Sequence, residues 1–221
     1  MKDPPRDRAA LARALRRYDD APLLQRLLVH GRAFLADLTF AEPFVPRQGF
    51  VVDLGCGHGL FANLLREASE RRRVLGVDAD PHKIATARAT EREGIRFALG
   101  DIATEPPPPC DCVTVVDVLY LMPFETQELV LAQCAAALPE GGRIVVYAQE
   151  ARVDPRYALG YAQELISTRL GLTLGGRGRF FYATRDRALA MFARAGFAAE
   201  AVAIPQRPYT DVLYLGRRLP R

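Results

Sequence analysis

The sequence predicts an α/β fold, an open and doubly wound sheet with helices on both faces. Two observations predict it. Between residues 49 and 148, short apolar runs alternate with helical segments, and the runs are apolar throughout, which is typical of parallel strands covered on both sides. Near the C-terminus, a short connection through residues 205–209 joins the last two predicted strands, so these strands must run antiparallel to each other.

The composition is that of one globular domain. The chain has 221 residues, of which 49% are hydrophobic and 25% charged, and this balance excludes a disordered, collagen-like or coiled-coil protein. The formal net charge is +4, and the basic residues other than Lys2 and Lys83 are arginines scattered along the chain. Because no basic tract stands in one place, a nucleic-acid partner is not expected.

The ends of the chain and its cysteines predict a reduced, cytoplasmic protein. No signal-peptide core follows Met1, and no run of 18 apolar residues suggests a membrane span. Cys110 and Cys112 form a single C-x-C without the second pair that a structural zinc site needs, so no metal is expected. Together with Cys56 and Cys134 they are interpreted as small buried hydrophobic residues.

The order of the elements follows from the spacing of apolar residues and from the turn residues between them. Two N-terminal helices are predicted over 6–18 and 21–38, because leucines recur there at helical spacing. The core then predicts strands at 49–54, 74–78, 95–99, 112–116 and 144–148, with helices at 60–70, 81–92 and 125–138. Arginines 71–73 are interpreted as structural cations at the end of a helix.

The alternation stops after the fifth strand. A long connection over 149–182 predicts one helix around 156–170 and a glycine-rich stretch over 171–178. A helix over 186–195 follows, and Gly196 is well suited to end it in a left-handed conformation. Two strands, 197–204 and 211–216, complete the chain.

The most informative segment is the loop after the first strand, which reads Asp53-Leu54-Gly55-Cys56-Gly57-His58-Gly59. Glycine at alternate positions permits positive φ and lets a ligand approach the backbone, and the following helix offers free N–H groups. The pattern is not the dinucleotide fingerprint, since Leu60 stands where a third glycine or alanine is required. No Walker-type lysine is present either.

Two acidic residues follow the second and third strands, where ligands of such sheets bind. The carboxylate of Asp78 is placed to accept both hydroxyl groups of a ribose. The alternative is a helix-capping role ahead of Pro81, for which Asp80 is the better candidate. Asp101 is placed to accept from the amine of an adenine, and its alternative is an ordinary turn aspartate.

These motifs, in this order and at this spacing, resemble the class I S-adenosylmethionine-dependent methyltransferases. The resemblance covers residues 49 to 217 except 149–182, and it includes Val74–Asp78, Gly100–Ile102, the segment 111–123, the turn 138–144 and Ala195–Phe197. It implies a Rossmann-like sheet of seven strands, mostly parallel, with an antiparallel strand in the C-terminal hairpin. It also implies S-adenosylmethionine as cofactor and S-adenosylhomocysteine as product.

The resemblance also assigns roles to residues. The glycine loop, Asp53 with Gly55, Cys56, Gly57, His58 and Gly59, would bind the methionine part of the cofactor. Asp78 and Ala79 would bind the ribose, Asp101 and Ile102 the adenine, and Asp117 and Val118 would line the site of methyl transfer. Further candidates are Tyr18 and Arg32, which lie in the N-terminal helices that commonly cover the cofactor in this family. Arg32 would either pair with the cofactor carboxylate or be an ordinary solvated arginine.

The chemistry requires little beyond positioning, because the sulfonium methyl group is already activated towards in-line attack. Tyr120 and His30 are the candidate catalytic groups, and the acceptor atom, oxygen, nitrogen or carbon, stays open. The aromatic residues Tyr157, Tyr161 and Phe181 are expected to bind the acceptor, and the glycines of 171–178 would let the 149–182 insertion move as a lid. A small, partly apolar acceptor is therefore expected.

The domain organisation that follows is one methyltransferase domain over 1–221. It comprises an N-terminal helical lid (1–48), a cofactor-binding core (49–148), a substrate-side insertion (149–182) and a C-terminal helix with a hairpin (183–217). The alternatives are a methyltransferase acting on RNA or protein, a catalytically silent cofactor-binding protein, and a nicotinamide-dependent oxidoreductase. The sequence leaves the oligomeric state open.

Overall fold

The seven strands form a single mixed sheet in the computed structural model, which describes residues 5–151, 180–204 and 210–220. The strands are β1 (Gly49–Leu54), β2 (Arg72–Asp78), β3 (Ile95–Leu99), β4 (Cys112–Val116), β5 (Arg143–Gln149), β6 (Phe197–Ala203) and β7 (Asp211–Arg218). Their spatial order is β3-β2-β1-β4-β5-β7-β6, in which β7 runs antiparallel to the other six strands. The predicted fold class is confirmed.

The helices connect these strands. They are α1 (Arg8–Arg16), α2 (Leu23–Leu35), α3 (Leu38–Ala41), α4 (Leu60–Ala68), α5 (Pro81–Arg88), α6 (Phe124–Ala137) and α7 (Arg185–Arg194), with 3-10 turns at Glu42–Phe44 and Leu119–Leu121. None of the helices within the described ranges has the length and apolarity to cross a membrane. The helix predicted around 156–170, the glycine-rich stretch 171–178 and the connection 205–209 lie outside the described residues.

The second predicted helix, 21–38, is wrong in one respect, because the structure divides it. The helix α2 ends at Leu35, and Ala36 adopts an extended conformation with φ −109° and ψ 132°. The Asp37 carboxylate then accepts from the Phe40 backbone nitrogen and begins α3. An N-cap aspartate competes with helix continuation, which explains the break.

The core lies on both faces of the sheet, as the apolar strands predict. Neighbouring residues of β1 point to opposite faces, so that Val51 joins the apolar cluster on one side and Val52 the cluster on the other. Every residue of β4 is buried. This double coverage leaves the carboxyl edge of the sheet as the place where polar groups are collected.

The four cysteines form no disulfide and, apart from the half-buried Cys56, they are buried. Burial raises the pKa of the Cys110 thiol to about 11 and raises those of Cys112 and Cys134 further. Cys110, Cys112 and Cys134 therefore behave as the small apolar residues that the sequence indicated.

The interpretation of arginines 71–73 as cations at the end of a helix is wrong for Arg72, which lies in a strand. The helix α4 ends at Ala68, and Arg72 is instead the first residue of β2, with a fully buried side chain. Its guanidinium donates to Glu42 Oε1 at 2.6 Å. It also donates to the carbonyl oxygens of Val45, Pro46 and Leu65. The ion pair therefore joins the N-terminal segment to the sheet.

Replacing Arg72 with alanine should destabilise the protein strongly, because the buried Glu42 would lose its buried cation at 2.6 Å and keep Arg47, which is more exposed and lies 3.5 Å away. Breaking such a pair costs about 3–5 kcal/mol of unfolding free energy. The exposed neighbour Arg71 is the matched control, and Arg71→Ala should change stability by less than about 0.5 kcal/mol. Urea unfolding of the two variants checks this, and equal effects would contradict the role given to the buried pair.

Candidate functional site

The loop between β1 and α4 is fixed to the neighbouring strand by its backbone. The nitrogens of Gly55 and Cys56 both donate to the Val77 carbonyl oxygen, at 2.7 and 3.0 Å. The Gly57 nitrogen donates to Asp78 Oδ2 at 2.8 Å. The ends of β1 and β2 are thus connected directly, and the loop is held in one conformation.

Gly55 and Gly57 are required for different reasons. Gly55 has φ +71°, and a Cβ at this position would lie 2.3 Å from Val118 Cγ2, so a packed side chain occupies that space. Gly57 has φ +56°, and a Cβ there would meet no atom within 4 Å. Gly57 is therefore the glycine that leaves open space on the cavity side, where a ligand can approach the backbone.

The carboxylate of Asp78 organises this edge. Its Oδ2 accepts from Gly57, and its Oδ1 accepts from the Asp80 nitrogen at 2.9 Å. The cap of α5 is Asp80, whose Oδ1 accepts from the nitrogens of His82 and Lys83. A carboxylate offers about four acceptor positions, so Asp78 keeps the capacity to bind ligand hydroxyl groups while it holds the loop.

A cavity of about 640 Å³ opens at this edge. Most of the residues predicted to bind the cofactor line it: Asp53, Gly55, Cys56, Gly57, His58, Asp78, Ala79, Asp101, Ile102, Asp117, Val118 and Arg32. The Asp101 Oδ1 also accepts from the Ala103 nitrogen at 2.9 Å, as a turn aspartate does. The carboxyl ends of β1, β2, β3 and β4 all contribute to this cavity.

Four predicted site residues lie away from the cavity lining. Gly59 caps α4, and a Cβ there would lie 2.6 Å from the Phe97 ring. The buried Tyr18 donates to the carbonyl oxygen of His58 at 2.8 Å. His30 is exposed on α2.

The fourth is Phe181. Its nitrogen donates to the Tyr120 carbonyl oxygen at 2.7 Å, and its ring packs edge-on against Phe124. Tyr157 and Tyr161, predicted to bind the acceptor, lie outside the described residues.

Asp53 is the buried acid of the site. Its side chain is 1% exposed, Oδ1 accepts from Thr114 Oγ1 at 2.7 Å, and Oδ2 has no hydrogen-bond partner among the described residues. Burial raises the pKa of this carboxyl to about 7, against the lowering effect of the Thr114 hydrogen bond. An unsatisfied carboxylate oxygen beside a cavity fits a ligand that carries a positive charge.

Neither Cys56 nor His58 is prepared for nucleophilic or acid chemistry. Burial, with the charges of Asp53 and Asp78, raises the pKa of the Cys56 thiol well above its ordinary value. Burial and the nearby Lys83 lower the pKa of His58, which favours the neutral imidazole. Both side chains belong to the loop that lines the cavity.

The other end of the cavity contains an ion pair. Arg32 Nη2 lies 2.9 Å from Asp117 Oδ2, so Arg32 reaches from α2 to the end of β4. Asp117 has φ 53°, a left-handed conformation that is uncommon outside glycine, and its nitrogen donates to the Tyr147 carbonyl oxygen. In this structure Arg32 thus pairs with a protein carboxylate.

An aromatic and apolar wall completes this end. Tyr120 is 5% exposed and lines the cavity, and its ring stacks on that of Tyr182 with centroids 4.6 Å apart. Leu27, Leu28 and Met122 line the same space. The cavity therefore combines an acidic end near the glycine loop with a largely apolar second end.

Among the lining residues that the sequence analysis missed, three polar ones lie close together: Tyr147, Gln149 and Asp211. Tyr147 and Gln149 lie at the end of β5, and Asp211 is the first residue of β7. Asp211 could have been predicted from its position in the chain. Because β7 is antiparallel, its first residue lies at the same edge of the sheet as the last residues of the parallel strands.

Comparison with known proteins agrees with this geometry. Residues 51–142 match the family described as a methyltransferase domain. The chain is 30% identical to a demethylmenaquinone methyltransferase of Thermus thermophilus over 82% of this chain and 88% of that protein. It is 33% identical to a trans-aconitate 2-methyltransferase of Methylobacterium nodulans, but over 49% of this chain and only 42% of that protein.

A solved structure shares the fold. Human N-acetylserotonin methyltransferase, determined in complex with S-adenosylmethionine, superposes with a TM-score of 0.66 at 18% identity, covering 96% of this chain and 66% of that one. The fold, the glycine loop and the acidic residues at the carboxyl edge of the sheet are together those of a nucleoside-binding α/β protein of the methyltransferase type. The chain belongs to the class I S-adenosylmethionine-dependent methyltransferases, a family of enzymes that use S-adenosylmethionine.

The buried Asp53 should make stability depend on pH when no ligand is bound. Between about pH 4 and pH 7 the folded protein keeps a proton on Asp53 that the unfolded chain has released, so this residue's contribution to stability is lost as the pH rises through that window. Because Asp53→Asn removes the ionisation, the stability difference between wild type and variant should move in the variant's favour, by up to about 4 kcal/mol, from pH 4 to pH 8. Urea unfolding at both pH values measures it, and a constant difference would contradict the burial of a protonated carboxyl.

Proposed function

We propose that the protein transfers the methyl group of S-adenosylmethionine to a small, partly apolar acceptor by in-line displacement. The observation that carries the proposal is the single cavity that runs from the glycine loop and Asp78 to the apolar wall around Tyr120. The bound cofactor supplies a methyl carbon that is already activated by its sulfonium. The protein's own residues have to bind it, orient the acceptor and receive a proton.

Cofactor binding is assigned to the edge formed by β1, β2 and β3. The loop 55–58 surrounds the methionine part, Asp78 accepts from the ribose hydroxyls, and Asp101 with Ile102 adjoins the adenine. The buried Asp53, with one carboxylate oxygen unsatisfied among the described residues, supports a cationic ligand there. Tyr18 and Gly59 act indirectly, through the shape of the loop.

The acceptor is assigned to the second end of the cavity. About 640 Å³ lies within the range of small-molecule sites, roughly 300–1,000 Å³, and it has to hold cofactor and acceptor together. The leucines of α2 and the Tyr120 ring favour an acceptor with apolar surface. The acceptors named for the two sequence relatives, trans-aconitate and demethylmenaquinone, also favour a small molecule over a macromolecule.

Replacing Asp78 with alanine should weaken the binding of S-adenosylmethionine by more than about tenfold, which corresponds to a loss of at least about 1.4 kcal/mol of binding free energy. The variant loses ribose acceptors and also the hydrogen bond that holds Gly57. Asp111→Ala is the matched control, because Asp111 also accepts from a backbone nitrogen, that of Phe50, but at the opposite end of β1. Calorimetric titration measures both, and unchanged affinity in the Asp78 variant would remove the ribose assignment.

Tyr120→Leu and His30→Ala should separate the two candidate catalytic residues. Tyr120→Leu removes the stacked pair with Tyr182, and such aromatic pairs contribute about 0.5–1.5 kcal/mol, so we expect the acceptor KM to rise by about 2- to 12-fold. The exposed His30 should be replaceable without effect. Initial rates with labelled S-adenosylmethionine measure both, and an equal loss in the His30 variant would contradict this placement of the acceptor.

A further inference from the structure

A hydrogen-bonded pair of buried residues lies in the acceptor end of the cavity. The Tyr147 hydroxyl donates to Asp211 Oδ2 at 2.6 Å, and the two residues are 1% and 6% exposed. Gln149 lies beside them, and the Oε1 of its side chain is buried without a hydrogen-bond partner among the described residues. We call these three residues, all of which line the cavity, the β5–β7 cluster.

The sheet holds this cluster rigidly. Gln149 pairs directly with Asp211 in the antiparallel register of β5 and β7, and Tyr147 lies two residues before Gln149 on the same face. Just beyond the strand ends, the Glu150 nitrogen donates to the Thr210 carbonyl oxygen. Asp211 is therefore placed by a sheet hydrogen-bond ladder.

The direction of the hydrogen bond follows from the second partner of Tyr147. The Asp37 nitrogen donates to the Tyr147 oxygen at 3.3 Å, so the tyrosine hydrogen is left for Asp211. Burial, and then the negative charges of Asp211 and Asp117, raise the pKa of Tyr147 well above its ordinary value. Tyr147 stays protonated and orients the carboxylate, which makes it a positioning residue.

We propose that Asp211, oriented by Tyr147, binds the hydroxyl or amino group that is methylated and takes its proton. This inference rests on the proposed function and names its acceptor class. The oxygen or nitrogen of the acceptor forms its new bond to the methyl carbon while the carbon–sulfur bond breaks and the sulfur keeps the electron pair. The proton of the acceptor passes to the Asp211 carboxylate.

The same geometry disfavours a carboxylate as the methylated group. Asp211 accepts a hydrogen bond from Tyr147, and when ionised it has no proton to donate, so the acceptor group next to it has to supply the hydrogen. An ionised carboxylate has no hydrogen to donate to Asp211 and no proton to pass to it. The proposed class therefore differs from trans-aconitate, the acceptor named for one relative.

The test uses the full chain, labelled S-adenosylmethionine and a panel of aromatic and terpenoid compounds, each made in hydroxyl, amine and carboxylate form. We expect transfer to hydroxyl or amine members and none to their carboxylate counterparts. For the best acceptor, Asp211→Asn should lower kcat by about 100-fold or more, the scale of general-base catalysis. Tyr147→Phe should lower kcat by about tenfold or more while leaving the acceptor KM within about threefold, as expected when one hydrogen bond to a charged group is lost.

Tyr214→Phe is the matched control. Tyr214 is also a buried tyrosine of this strand pair, and its hydroxyl has no hydrogen-bond partner among the described residues, so its loss should leave kcat unchanged. A readout independent of turnover is calorimetric binding of the same acceptor to the protein saturated with S-adenosylhomocysteine. Asp211→Asn should weaken this binding, whereas S-adenosylmethionine affinity should stay within about twofold of wild type in all three variants.

Several results would overturn the proposal. They are transfer to the carboxylate members, a kcat of Asp211→Asn within about threefold of wild type, an equal loss in Tyr214→Phe, or a protein that binds S-adenosylmethionine but methylates no hydroxyl or amine member. Failure of wild type to bind S-adenosylmethionine would instead overturn the proposed function itself.

Discussion

The hydrogen bond from the Gly57 nitrogen to the Asp78 carboxylate is the contact on which the site depends. It joins the loop after β1 to the end of β2, and through the second oxygen of Asp78 it extends to the residue that caps α5. Parallel strands bring their carboxyl ends to one edge, but the loops there have no regular structure of their own. Asp78 therefore both gives the loop its shape and presents oxygens to the cavity.

The N-terminal helices are tied to the same loop by buried polar groups. The Asn63 amide nitrogen lies within hydrogen-bond distance of the Tyr18 hydroxyl, the Gly59 carbonyl oxygen and Thr90 Oγ1 and shares its two hydrogens among them, while Tyr18 donates to the His58 carbonyl oxygen. Arg92 accompanies this network by donating to Asn63 Oδ1. Because buried polar groups must be satisfied, these contacts restrict the loop carbonyls and connect α1 to the cofactor edge.

The residues that the sequence predicted best are those whose role depends on neighbours in the chain. Gly55, Gly57, Asp78 and Asp101 lie at the end of a strand or shortly after it, so strand position and residue type were enough to place them at the cavity. Arg72 could not be understood in this way, since its burial depends on Glu42, thirty positions earlier in the chain.

Tyr147 and Asp211 illustrate the same limit for the acceptor end. They are 64 positions apart and meet only through the antiparallel register of β5 and β7. A hairpin was predicted from residues 205–209, but the register of β7 against β5 sets which side chain arrives at the edge. Arg32 is a further case, because its partner Asp117 follows from how α2 packs over β4.

The central claim is that the carboxyl edge of this sheet binds S-adenosylmethionine. The most direct measurement is a calorimetric titration of the wild-type protein with S-adenosylmethionine, S-adenosylhomocysteine and NAD under identical conditions. The account predicts saturable binding of the first two ligands, with NAD weaker by at least about 100-fold, or roughly 2.7 kcal/mol. The account would be contradicted if NAD bound as tightly as S-adenosylmethionine, or if neither S-adenosylmethionine nor S-adenosylhomocysteine bound.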